Sequence, residues 1–124
     1  MPDAGRELDG LVAGKVMGWT DVALKPIANA YGQHVVDEWA GVAPTGTGRP
    51  QLVPRYSTMI QDAWPILEKM RGEFMFAAVI SGKGPAGVAP WVCKVNKDGV
   101  FIEEKGETAA LAICLAALRA FAPA

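Results

Sequence analysis

Two runs of branched and aromatic residues, Trp91-Val92-Cys93-Lys94-Val95 and Val100-Phe101-Ile102-Glu103, flank Asn96-Lys97-Asp98-Gly99. An Asp-Gly pair accepts the positive φ angles of a tight turn, so the segment predicts a β-hairpin. A third run, Phe74 to Ile80, is short and rich in branched and aromatic side chains, and Ser81-Gly82-Lys83-Gly84-Pro85 stops it. The three runs predict one antiparallel sheet. After it, Glu107-Thr108 precedes Ala109 to Phe121, where Leu111, Cys114, Leu115 and Leu118 fall at helical spacing and Thr108 is placed to cap.

Upstream, Leu8, Leu11 and Val12 predict a helix from Asp3 to Met17, with Asp3 as cap and Gly18 as stop. Gly5, Gly10 and Gly14 inside that span imply either close packing against another element or a frayed helix. Thr20 to Leu52 contains Pro26, Pro44 and Pro50 and predicts mostly loop, with a short strand or helical turn around Val35, Val36 and Trp39 and an exposed run from Pro44 to Pro50. Thr58 with Gln61 forms a capping-box pattern before a helix that carries Ile60, Ala63, Trp64, Leu67 and Met70 on one face, with a bend expected at Pro65. A chain of 124 residues, 51% hydrophobic, is long enough for one core and too short for two ordinary domains, so residues 1–124 are expected to form a single domain. Helices at both ends and in the middle, with strands between, place it in the α+β class.

Composition excludes some functions. Twelve basic and 13 acidic residues leave a net charge of −1, which provides no field to hold a long nucleic acid. Cys93 and Cys114 match no redox or zinc spacing and are expected to be free, buried thiols in a reducing cytosol. The start, Met1-Pro2-Asp3-Ala4, lacks the pattern of a signal peptide, and the apolar stretch Ala109 to Leu118 is far shorter than a membrane span, so a soluble, cytoplasmic protein without a membrane partner is expected.

Catalytic constellations are scarce. His34, the single histidine, stands near Asp37 and Glu38, but adjacent residues point apart and no second histidine completes a metal site. Ser57 and Thr58 have no partner base other than His34, and Glu103-Glu104 at a strand end fits a solvated edge better than a glycosidase pair. No catalytic residue, metal or cofactor is therefore assigned, and the protein is not expected to be an enzyme. Gly41 to Pro50 has glycines and Arg49 but no P-loop ending.

A binding role has more to build on. Val53-Pro54-Arg55-Tyr56-Ser57-Thr58 runs into a helix start, where unpaired NH groups favour negative charge, although a hydroxyl there also serves as an ordinary cap. Arg55, Ser57 and Thr58 are candidate phosphate ligands, with Tyr56, Trp19 or Trp91 as the ring on which a base stacks, and Arg49 and Lys83 in glycine-containing loops to close over it.

Arg6-Glu7-Leu8-Asp9 with Leu11-Val12-Ala13 and Val16-Met17-Gly18-Trp19, then Pro54-Arg55-Tyr56-Ser57-Thr58 with Ala63-Trp64, then Thr108 with Ala112-Ile113-Cys114 and Ala116-Ala117-Leu118, resemble in this order the small bacteriophage proteins of the phage ABA sandwich domain family. The Tyr-Ser-Thr and Ala-Ile-Cys blocks are the most specific parts. The resemblance implies an alpha-beta-alpha sandwich, with a mainly antiparallel sheet between N-terminal, central and C-terminal helices, encoded by a phage or prophage and acting in the host cytosol during infection or lysogeny. Combined with the phosphate-and-ring residues, that setting leads to an expectation of a non-enzymatic sponge that sequesters a nucleotide-derived signalling molecule, such as a cyclic nucleotide, to counter host defence. Nanomolar capture requires about −12 kcal/mol, so a homo-oligomer with pockets near its interfaces is expected. The alternatives are a phage interaction or assembly module with a host or phage protein partner and no small ligand, and a small nucleotide hydrolase.

Overall fold

The computed structural model describes residues 4–28, 31–44, 48–74, 76–81 and 91–122. The predicted hairpin is present: strand β5 (Trp91–Lys97) meets β6 (Val100–Gly106) across Asp98-Gly99, numbering strands in chain order. Both turn residues have positive φ, 53° and 86°, and the Gly99 N–H donates to Asn96 Oδ1 at 2.9 Å. Strand β4 (Phe76–Ser81) pairs antiparallel with β5, which gives a sheet in the order β4-β5-β6. Register puts Ala77, Val95 and Ile102, and likewise Cys93 and Glu104, on one face, where all five are buried.

Helix α3 (Ala109–Ala120) lies on that face and also touches the other two helices. Thr108 caps it, its hydroxyl accepting from Leu111 N–H at 3.1 Å. Charge is absent from the helix until Arg119, and the buried set runs well beyond the predicted stripe to Ala110, Ala112, Ile113, Ala116, Ala117 and Ala120. A helix buried nearly all round is a core element. Alanines and Gly106 let it sit close to the sheet: a Cβ on Gly106 would stand 2.7 Å from Ala112 N.

Thr20 to Leu52 corrects the expectation of loop. Strands β1 (Thr20–Ala28) and β2 (His34–Val42) pair antiparallel, and the two-residue β3 (Gln51–Leu52) adds to β2. Pro26 is tolerated because β1 is an edge strand, where a missing N–H costs no ladder bond. Two register shifts in β1 blur the alternation that a regular strand would show. Helix α1 (Arg6–Lys15) packs on β1 and β2. Gly5 holds its cap position, the Asp3 expected to cap it lies outside the described residues, and it ends before Gly18 at φ 75°. Of the glycines in that span, Gly10 marks close packing, since an added Cβ would meet the Trp39 ring at 2.8 Å.

Helix α2 (Ile60–Glu73) runs through Pro65 as one element. Ala63, Leu67 and Met70 are buried as expected, joined by Ile66, whereas Ile60 and Trp64 are exposed. The capping box does not form: Met59, not Thr58, occupies the cap position and contributes no side-chain bond.

Candidate ligand-binding cleft

The loop before α2 has a different use from the one its residues suggest. Asp9, fully buried on α1, accepts from both the Ser57 N–H at 2.7 Å and the Ser57 hydroxyl at 2.6 Å. Gly5 N–H in turn donates to Ser57 Oγ at 2.9 Å. Arg6 closes the arrangement, giving hydrogen bonds to Asp9 Oδ2 and Glu38 Oε1, both at 2.8 Å, and to the carbonyls of Val53 and Pro54 at 2.6 and 3.2 Å. Burial works against the Arg6 charge, yet the hydrogen bonds and charges of Glu38 and Asp9 outweigh it and hold its pKa above the ordinary value. The Arg6 hydrogen bond holds the Glu38 carboxyl below its ordinary range. This is a polar joint that fastens α1, β2 and the loop to one another. Ser57, expected as a phosphate ligand, is corrected to a member of that joint, because it has no exposed surface.

Its neighbours separate. Tyr56 is 4% exposed, burial pushes its phenol up to about 12, and the Trp19 indole donates to it, so both rings serve packing rather than an open stacking surface. Arg55 is exposed, its backbone N–H donating to Asp62 Oδ2 at 3.0 Å. Arg49 is exposed, and Lys83 lies outside the described residues.

Thr58 and Trp91 do come together. With Ile60, Thr108, Ala109 and Ala110 they line a cleft of about 360 Å³ at which α2 and α3 both begin. The lining holds no carboxylate. The first turn of α3 has no acid, and Asp62 of α2 is spent on the Arg55 N–H. Two helix N-termini therefore bring partial positive charge to a lining without a carboxylate, Asp62 in the first turn of α2 being turned to the Arg55 N–H, and each adds a hydroxyl, from Thr58 and Thr108. Trp91 supplies a half-buried indole. The adjacency of the two helix starts depends on contacts between α2 and α3, so no local pattern in the sequence could reveal that Thr108, Ala109 and Ala110 share the cleft.

The sequence matches the phage ABA sandwich domain over residues 10–118. The chain belongs to that family. A crystal structure of a phage protein from Bacillus cereus ATCC 14579 superposes with a TM-score of 0.64 at 22% identity, covering 93% of this chain and 89% of that one, and so shares the fold. A search of curated proteins finds no match. In this phage ABA sandwich chain, Arg6 and Asp9 of the first resembling block and Pro54 and Ser57 of the later one meet in the polar joint, together with Glu38 of β2.

Two other carboxylates and both thiols of the phage ABA sandwich chain are engaged structurally. Glu38 is held by Arg6; of the solvated edge expected at Glu103-Glu104, Glu103 is exposed on the edge strand β6, whereas Glu104 is corrected to a nearly buried residue paired with Arg119 at 2.8 Å. Cys93 and Cys114 are free and buried, and burial raises both thiol pKa values, that of Cys93 to about 12. Among the described residues, no three His, Cys, Asp or Glu side chains gather as metal ligands, and no helix is long and apolar enough to cross a membrane.

Proposed function

We propose that this phage protein is a non-enzymatic binder that sequesters a small, phosphate-bearing, nucleotide-derived signalling molecule and so counters host antiviral defence. The observation that carries this is the cleft at the starts of α2 and α3, where helix-end NH groups, two hydroxyls and the Trp91 ring share one carboxylate-free space. Phosphate goes to the helix ends and the base to the indole. The lining offers no general base or nucleophile pair, which favours holding the ligand over converting it.

A thermal-shift screen of the purified chain against cyclic di- and trinucleotides, ADP-ribose derivatives and mononucleotides tests it, since a ligand bound only by the folded state raises the melting temperature. A shift is expected, lost in Trp91→Ala and kept in Arg55→Ala, with the ligand recovered intact by chromatography. Altered ligand turns the protein into a hydrolase or lyase. No shift across the panel moves the assignment to a protein-interaction module, the second reading, favoured by exposed Phe76, Ile80 and Phe101 on the second sheet.

A further inference from the structure

Edge strands invite pairing with another chain, and proteins usually blunt them with charges, proline, irregular register or brevity. Three of the four edges follow this rule. Strand β1 carries Lys25 and Pro26 and two register shifts, β3 is two residues long, and β6 contains Glu103, Glu104 and Lys105. Strand β4 has none of these devices: Phe76-Ala77-Ala78-Val79-Ile80-Ser81 is uncharged, lacks proline and, among the described residues, pairs in unbroken register with β5 on its inner side only.

Along its outer side runs a cleft of about 550 Å³, walled by Trp64, Leu67 and Arg71 of α2 and by four consecutive residues of β4, from Phe76 to Val79. Consecutive strand residues alternate in side-chain direction, so their shared presence means that the strand's own edge forms the wall. Trp64 is 44% exposed, and Arg71 has no ion-pair partner among the described residues.

We propose that the β4 edge is the self-association edge of this protein: two copies pair β4 with β4 antiparallel about a two-fold axis, joining their second sheets into one. Charge selects a second copy over a foreign strand. The axis stands perpendicular to the sheet, so the two α2 helices lie antiparallel on the same face. Trp64, Glu68 and Arg71 form one stripe of α2 at helical spacing, with the indole N–H already donating to Glu68 at 3.0 Å. Antiparallel placement brings each Arg71 to the Glu68 and Trp64 of the second copy, twice over, and so supplies the anion and ring face that Arg71 lacks in one chain. The pairing needs no ligand and stands apart from the cleft at the starts of α2 and α3.

Light scattering and sedimentation of the full chain test the edge. The wild type is expected at twice the chain mass. Arg71→Glu and Glu68→Arg should each weaken dimerisation by about tenfold or more through like-charge contacts, and the double exchange should restore it. Ile80→Lys, at an exposed position of β4, should give a monomer with an unchanged circular dichroism spectrum. A monomeric wild type, or a dimer that Ile80→Lys leaves intact, overturns the proposal; single reversals without effect, or no rescue by the double exchange, overturn the two-fold charge match. A dimer that binds no nucleotide leaves this inference standing and removes the functional one, and a monomer that binds does the reverse.

Discussion

The joint around Asp9 and the packing around α3 hold the molecule in opposite ways. In the joint, each bond links particular atoms across long stretches of chain: Ser57 lies 48 residues from Asp9 and 52 from Gly5. Around α3, stability comes from close contact of alanines, Ile113 and Cys114 with Cys93, Val95 and Ile102, and the individual groups matter through their volume. A polar joint fails when one member goes, because the remaining members are left buried without partners, whereas a packed helix accommodates changes that conserve volume. The Tyr-Ser-Thr block belongs to the joint through Ser57 and the Ala-Ile-Cys block to the packed helix, so the two most specific parts of the resemblance serve architecture in these two different ways.

The contrast can be broken by substitution. Asp9→Ala should have the largest effect, about 3–5 kcal/mol, since it removes the acceptor of Ser57 and one partner of Arg6; urea denaturation measures it, and a loss below about 1 kcal/mol, the net worth of an ordinary hydrogen bond, would remove the distinction. Gly106→Ala should cost about 1–3 kcal/mol, because the new methyl meets α3 backbone rather than a yielding side chain. In the same core Ile113→Val should cost only about 1 kcal/mol. Thr108→Ala should cost about 1 kcal/mol through loss of the α3 cap, measured by thermal melting.

The smallest effect is in pH dependence. Because Arg6 holds the folded-state pKa of Glu38 below its ordinary value of 4.5, its contribution is present above that value and is lost as pH falls through the depressed one. Glu38→Gln should therefore flatten the acid limb of a stability–pH profile below the ordinary value while leaving the neutral region's slope unchanged. An unaltered acid limb would take Glu38 out of the joint's energetics.

Legibility followed the same division. The hairpin, the second sheet, α3 and its Thr108 cap were readable because each follows from neighbours within a few residues. Strand β1 was not, and β2 only as one of two alternatives around Val35, Val36 and Trp39: Pro26 and the register shifts suppress the period-2 signal, and only pairing between the two strands makes them regular. The bond between Asp9 and Ser57 leaves no periodic trace, so Ser57 looked like a ligand-facing hydroxyl. Thr58 and Gln61 matched a capping box whose frame is displaced by one residue, since Met59 holds the cap position. Of the eight residues proposed for a ligand, Thr58 and Trp91 share a cleft, Lys83 lies outside the described residues, and that cleft owes its existence to tertiary packing.

The two thiols give the core a clock. Alkylating reagents attack the thiolate, and Cys93 and Cys114 offer neither access nor ionisation while β5 and α3 stay together. Any modification at neutral pH must then pass through a molecule whose helix has lifted from its sheet. The speed of labelling by excess reagent thus counts how often the sandwich opens, with no probe added to the chain.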